Sequence, residues 1–236
     1  MGMVLYELAG SDDNLLFSPH CWKVRMALAH KGLTAESRPW RFTEKDAIAF
    51  SGQGFVPVLV NGTETVSDSW HIAQYLEARY PNTPTLFGGD AAAQLAGFIN
   101  AWADKTLLPL IARIILRDIH DCLAPVDQAY FRTSREKRFG ESLEAVVTDR
   151  PAHLSALRSA LSPLRHVLRE RAYLCGSEPA YADYCVFGMF MWARCSSPAE
   201  LLAADDPVFH WRDRLLDAFG GLARSAPHVP AEEARS

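Results

Sequence analysis

The stretch Phe55–Val66, F-V-P-V-L-V-N-G-T-E-T-V, constrains this chain more than any other. Two short runs of β-type residues flank Asn61-Gly62, a strong signal for a tight hairpin. Pro57 has no N–H for a ladder, so it belongs at an edge or a strand start, where an X-Pro bond can also be cis. An antiparallel pair is thereby fixed, and the segments before it fix the rest of a sheet. Met3–Leu8 is apolar and aromatic and reads as a first strand. Ala9–Leu16 holds Gly10, Ser11, Asp12, Asp13 and Asn14 and reads as a loop. Thr34–Trp40 reads as a second short strand, and Arg41–Gly54 as a polar connection with one weak helical turn.

Phe17–Gly32, F-S-P-H-C-W-K-V-R-M-A-L-A-H-K-G, lies between the first two strands. Trp22, Met26 and Ala29 repeat at helical spacing, with Val24, Ala27 and Leu28 on the adjoining face. Pro19 suits the first helical position, and Gly32 after Lys31 suits the stop. A strand–helix–strand crossover implies a parallel pair. Ser67-Asp68-Ser69 then leads into a helix striped by Ile72, Ala73, Leu76 and Tyr80, with Asp68 or Ser69 as its cap. The order β-α-β-β-α predicts a mixed four-stranded sheet with helices. Ser18 falls at a helix N-terminus. There it is either a plain cap or a polar group at a place that favours an anion or a thiolate.

Pro81–Gly89, P-N-T-P-T-L-F-G-G, marks a boundary, and everything after it reads as helix. The expected division is an α/β domain at 1–81, a linker at 82–92 and an all-helical domain at 93–236. Leu95, Phe98, Ile99 and Trp102 form one apolar stripe, and Pro109 should bend or interrupt that helix. Ala129–Val147 is charged and reads as a partly exposed helix. Leu154 through Leu168 reads as a long stripe despite Pro163. Asp183–Arg194 is apolar nearly all round, as a central buried helix would be. Val208–Phe219 is a last amphipathic helix, and the polar tail after Gly221 is expected to be mobile.

A formal net charge of -4 gives no electrostatic case for nucleic acid. No apolar run reaches the length of a membrane span and no signal-like segment opens the chain, so a cytoplasmic protein is expected. The five cysteines are odd in number and scattered, which argues against a disulfide framework and a zinc site. No metal ligand set is predicted.

Four segments resemble the cytosolic glutathione transferases. Ser18-Pro19-His20-Cys21-Trp22-Lys23-Val24-Arg25 resembles the family's active-site loop and first helix. Val56-Pro57 matches its cis-proline pair. Asp68-Ser69-Trp70-His71-Ile72-Ala73-Gln74-Tyr75-Leu76 matches its acidic–Ser signature, and Ala182-Asp183-Tyr184 the start of its central helix. The resemblance runs to about Phe219. Within the family, the first helix and the D-S-W-H-I-A-Q-Y-L segment look most like the bacterial β-etherases, which cleave β-aryl ethers of lignin-derived aromatics, and more loosely like their fungal relatives. It implies a thioredoxin-like glutathione-binding domain, a helical bundle holding a hydrophobic substrate pocket, and a homodimer.

The resemblance also implies site roles. Ser18 would donate to the glutathione sulfur and favour its thiolate, since a free thiol near about 8.5 is mostly protonated at neutral pH. Val56 would hold the cysteinyl backbone by main-chain bonds. Asp68 and Ser69 would meet the γ-glutamyl end. Many relatives carry a basic residue before Val-Pro for the glycyl carboxylate. Here Phe55 stands in that place, and Gln53, Lys45 and Arg41 are the substitutes. Trp102, Leu107, Ile111, Ile114 and Trp192 are the expected lining for a hydrophobic or aromatic electrophile. Ala180 leaves half of the usual capping box missing, so Asp183 must act alone. Cys21 would occupy the resolving position of a glutaredoxin-like Ser-Pro-His-Cys. A glutathione-dependent reductase and a non-enzymatic glutathione-binding regulator are the alternatives to a transferase. The reductase usually needs a cysteine where Ser18 stands.

Overall fold

In the computed structural model, residues 2–230 are described. The polar tail expected to be mobile lies partly inside this range. Ala223 is buried, with Leu222 and Ala226 packed against the core, and residues 231–236 lie outside the described residues.

Strand β1 (Met3–Leu8) runs parallel to β2 (Ala35–Trp40) through helix α1 (Pro19–His30), as the crossover requires. It also pairs antiparallel with β3 (Val58–Asn61), which pairs with β4 (Glu64–Ser67), giving the order β2-β1-β3-β4. The mixed four-stranded sheet is the one expected. Its hairpin turn differs by one residue. Asn61 pairs with Glu64, so Gly62 and Thr63 form the turn, with Gly62 at φ 63°. Asn61 serves instead as a pin, its amide donating to the hydroxyls of Tyr75 (2.9 Å) and Tyr80 (2.8 Å). The polar connection carries a short 3-10 segment, Lys45–Ser51, and the Val56–Pro57 bond is cis. Helix α2 (Ser69–Arg79) closes the first domain.

The second domain is helical throughout: α3 (Asp90–Trp102), α4 (Leu108–Asp121), α5 (Pro125–Phe139), α6 (Leu143–Val146), α7 (Arg150–Ala160), α8 (Ser162–Leu168), α9 (Tyr181–Ser196) and α10 (Pro207–Gly221). Two expected continuous helices are divided. Gly140, at φ 76°, stops α5 before α6, and the chain breaks at Leu161-Ser162 ahead of Pro163. Between α3 and α4 the backbone widens to a π segment, Ala103–Leu107. Pro109 lies just after it. A proline cannot donate and crowds the preceding turn, which is where a wider turn is needed.

Helix α9 is buried on nearly every side, as its composition predicts. Asp183 anchors its start. One carboxylate oxygen accepts from the Leu174 N–H (2.9 Å) and the Trp211 indole (2.8 Å), the other from the Ala180 N–H (3.0 Å). Asp183 therefore does not act alone: α10 and the preceding loop supply what Ala180 cannot. Burial pushes its pKa above the ordinary carboxylate range, and the donors only partly offset that.

Helix α9 packs on α1 at Gly188, where a Cβ would lie 2.4 Å from the Pro19 carbonyl oxygen. Only glycine permits that approach. Gly188→Ala should push α1 away and destabilise the chain by about 1–3 kcal/mol, the usual cost of overfilling a packed contact. A lower midpoint in thermal or urea unfolding checks this, and an unchanged midpoint would contradict it.

Candidate active site

A cavity of about 890 Å³ lies between the two domains. Its first-domain wall includes Phe17, Ser18, His20, Trp40, Phe42, Gln53, Phe55, Val56, Asp68 and His71. Three of the four predicted site residues, Ser18, Val56 and Asp68, thus meet at one cavity. Ser69 is buried beneath it and does not line it. Its carbonyl accepts from the Tyr181 hydroxyl (2.7 Å), which fastens the start of α2 to α9.

Ser18 is 4% exposed and caps α1 in extended geometry. Its Oγ accepts from the Cys21 N–H (3.3 Å), and its carbonyl accepts from the Trp22 N–H (3.1 Å). A hydroxyl has one proton to give and two lone pairs, so capping leaves the O–H free to donate into the cavity. The two readings of Ser18 are compatible. Because Pro19 has no N–H, His20 alone has an open backbone donor in the first turn among the described residues.

Val56 precedes β3, whose pairing begins at Val58. Although β3 is an inner strand, no hydrogen bond to the Val56 backbone is formed by the described residues, so its N–H and C=O remain available to an extended peptide. Asp68 sits at φ 74°, a region that costs a non-glycine residue roughly 1–3 kcal/mol. Its Oδ1 accepts from the N–H groups of Trp70 (2.9 Å) and His71 (3.2 Å), and Oδ2 is left for a cation.

His20 lines the same wall, with Nδ1 3.7 Å from Asp104. Loss of water around the ring, and then the Lys23 ammonium, hold its pKa down to about 4, so the imidazole is neutral at physiological pH. Lys23 is buried, donating to Asn100 (2.7 Å) and Asp104 (2.6 Å), and it ties α1 to the second domain.

The three substitutes for a carboxylate partner are differently placed. Arg41 pairs with Asp13 (2.5 Å), donates to the Gly10 carbonyl and does not line the cavity. Gln53 lines it, but its amide donates to the Phe55 carbonyl (2.5 Å) and accepts from the Phe55 N–H (3.2 Å). Lys45 donates to the Gly54 carbonyl (2.7 Å) and lies over the rings of Trp40 (4.7 Å) and Phe55 (5.0 Å).

The second-domain wall corrects the expected lining. Of Trp102, Leu107, Ile111, Ile114 and Trp192, only Trp192 reaches the cavity. Leu107, Ile111 and Ile114 are fully buried in the core. The wall uses another face of α4, Leu108, Ala112, Leu116 and Ile119. A π turn inserts a residue, which rotates the next helix by about 100° at 3.6 residues per turn, so the α3 stripe does not carry through. Helix α5 supplies Tyr130, Phe131, Arg135, Arg138 and Phe139, although its charged composition reads as a partly exposed helix. The recurrence of Phe131, Arg135, Arg138 and Phe139 at i, i+4, i+7 and i+8 was the available signal.

Cys21 is buried, and burial together with Glu7 pushes its thiol up to about 12. A thiol held protonated is neither a nucleophile nor a resolving group. Among the described residues no cluster of three or more His, Cys, Asp or Glu could hold a metal, and no helix is long and apolar enough to cross a membrane.

A thioredoxin-like sheet with a cis-proline turn faces a helical domain across one cavity, which defines a two-domain α/β-plus-α class. Two family models match the chain: the glutathione S-transferase N-terminal domain over residues 17–79 and the C-terminal domain over residues 93–214. The chain belongs to the glutathione S-transferase family.

It is 37% identical over 70 residues to a zeta-class glutathione S-transferase of Euphorbia esula, covering 28% of this chain and 31% of that one. It is 30% identical over 146 residues to dichloromethane dehalogenase of Methylorubrum extorquens, covering 60% of this chain and 46% of that one. The chain thus spans between about a third and about a half of these relatives' lengths. Glutathione transferase GSTFuA3 of Phanerochaete chrysosporium superposes with a TM-score of 0.77 at 25% identity, over 94% of this chain and 92% of that one. CsGST63524 of Ceriporiopsis subvermispora, solved in complex with glutathione, gives 0.78 at 21% identity over 98% and 100%, a likeness of fold.

Iodoacetamide at pH 8 should label exposed Cys175 of the native protein and leave Cys21 unmodified. Peptide mass mapping reads both, and native labelling of Cys21 would reopen a redox role.

Proposed function

We propose that this chain is a glutathione transferase whose Ser18 stabilises the glutathione thiolate for attack on a bulky hydrophobic or aromatic electrophile. The observation that carries the reading is the sharing of one cavity by the Ser18 hydroxyl, the unpaired Val56 backbone and a wall of aromatic side chains. Val56 holds the cysteinyl unit as an added strand. Asp68 faces the γ-glutamyl ammonium, and Ser69, one residue on, shapes the start of α2 beneath the γ-glutamyl carboxylate. Ser18 gives its proton to the sulfur as a hydrogen bond without transferring it, so the thiol proton leaves to solvent. Phe42, Phe55, Tyr130, Phe139 and Trp192 stack on the electrophile.

Within this class we propose β-aryl ether cleavage. The sulfur forms a bond to the carbon bearing the aryloxy group, the C–O bond breaks, and the phenolate leaves with the electron pair to be protonated by water. The aromatic wall and the resemblance of the first helix support it. The reductase alternative loses support, because serine replaces the nucleophile and Cys21 is held as a thiol.

Glutathione consumption is the deciding measurement, with a model β-aryl ether beside a chloro-nitroaromatic. Turnover of the ether supports the full reading. Turnover of the nitroaromatic alone retains the transferase and removes ether cleavage. Binding of glutathione without either turnover would favour the regulatory alternative. Ser18→Ala should lower kcat/KM by about 10²-fold, the range for one donor to a developing anion, and raise the pKa of the bound thiol. An unchanged thiolate absorbance would remove Ser18 from the chemistry.

The family resemblance also carries pairing of two copies. Leu95 and Phe98, each 69% exposed on one face of α3, support an apolar contact there. Light scattering should give twice the chain mass for the wild type and the single-chain mass for the double variant Leu95→Glu, Phe98→Glu. A monomeric wild type would overturn the pairing.

A further inference from the structure

The cavity lining is mostly apolar, and its α5 wall carries two cations. Arg135 and Arg138 both line it, and no carboxylate oxygen of the described residues lies within 4.0 Å of either guanidinium. Their neighbour on the same helix shows what an ordinary surface arginine does here. Arg132 pairs with Glu136 (2.8 Å) and Glu144 (2.9 Å). Asp127, a buried carboxylate on the same helix, accepts with Oδ1 from the backbone N–H (2.9 Å) and hydroxyl (3.0 Å) of Thr43, and its charge acts on Lys45. Arg135 instead places its guanidinium carbon over the rings of Phe131 (4.7 Å to the ring centre) and Phe42 (5.4 Å), with one hydrogen bond, to the Ser134 hydroxyl. Contact with the two rings restrains the guanidinium, and its N–H groups other than the one on Ser134 have no protein acceptor among the described residues, so they are open to a carboxylate.

Its surroundings make an unanswered charge costly. Burial, with Arg138 adding like charge, lowers the pKa of Arg135, and Lys45 nearby is lowered by burial and by Arg135 itself. Arg135 and Arg138 are thus the two cations of the cavity wall, with Lys45 nearby but outside the lining, and Gln53 and Arg41 are already engaged.

We propose that Arg135, seconded by Arg138, is the carboxylate-binding element of this cavity and fixes one end of a ligand that reaches Ser18. The proposal rests on the cavity being the joint site for thiol and electrophile. The carboxylate is delivered by one of two sources: the glycine of glutathione, or an aromatic acid as the second substrate.

Calorimetric binding to the full chain separates them with four probes: glutathione, its glycyl ethyl ester, 1-naphthoate and methyl 1-naphthoate. The wild type should bind the acid more tightly than the ester, by about tenfold, in at least one pair, as expected for a charge-assisted hydrogen bond. Arg135→Gln should abolish that preference, Arg135→Lys should restore part of it, and Arg138→Gln should reduce it. Loss confined to the glutathione pair identifies the glycyl carboxylate. Loss confined to the naphthoate pair identifies an acidic electrophile. A wild type without preference in either pair overturns the proposal, and so does an Arg135→Gln variant that keeps its preference. The wild-type comparison stands even if a variant fails to fold. A naphthoate preference without any glutathione binding would overturn the transferase reading and leave the carboxylate site standing.

Discussion

The start of α9 is the constraint on which the rest of the site depends. A buried carboxylate, Asp183, accepts three N–H groups from three places in the chain and sets where the central helix begins. From that fixed start, α9 reaches both first-domain helices whose heads lie at the cavity. Tyr181 bonds the Ser69 carbonyl at the head of α2, and Gly188 admits Pro19 at the head of α1. Each single contact is worth only about a kcal/mol or so. Their effect on the site is larger, because Ser18 and Asp68 sit one residue ahead of those two helix heads. A shift of α9 would move both together.

For the thiolate proposed at Ser18, two electrostatic sources compete. The α1 dipole offers roughly 0.3–1 kcal/mol to a charge at a helix end. Here its first turn is largely spoken for by Pro19, by the Ser18 Oγ bond to Cys21 and by the Ser18 carbonyl bond to Trp22. A hydroxyl donating to an anion gives about 1.5–3 kcal/mol. The hydroxyl therefore dominates, and the helix supplies a rigid mount for it. Neutral His20 adds no positive charge beside the sulfur.

Much of the first domain was legible in the sequence because its signals are local. Hairpin, crossover and caps each follow from a few neighbouring residues, and Ser18, Val56 and Asp68 reach the cavity from loops next to them. The misses share a non-local cause. The Asn61 amide reaches tyrosines on α2, and the turn shifts to Gly62-Thr63. Asp183 is completed by Trp211, 28 positions away. The apolar faces of α3 and α4 are uncoupled by a π segment that a period of 3.6 cannot register. Ile111 and Ala112 are adjacent and comparably apolar, so only the packed helix decides which faces the core and which the cavity.

Helix α5 explains how such a site can separate thiol activation from choice of electrophile. The first-domain side of the cavity is held by α9 and by the ion pair of buried Lys23 with partly exposed Asp104. The facing wall hangs on a different set of contacts: Asp127 to Thr43, the Phe42 ring against Tyr130 and Phe131, and the α5 stop at Gly140. None of these touches Ser18, Val56 or Asp68. Side chains at Tyr130, Arg135, Arg138 and Phe139 can therefore change the shape and charge of the cavity without displacing the thiol-binding groups. The reverse does not hold, since moving α1 or α2 would alter both halves at once. On the proposed function, that asymmetry places chemical selectivity on α5, the helix whose surface-like composition concealed it.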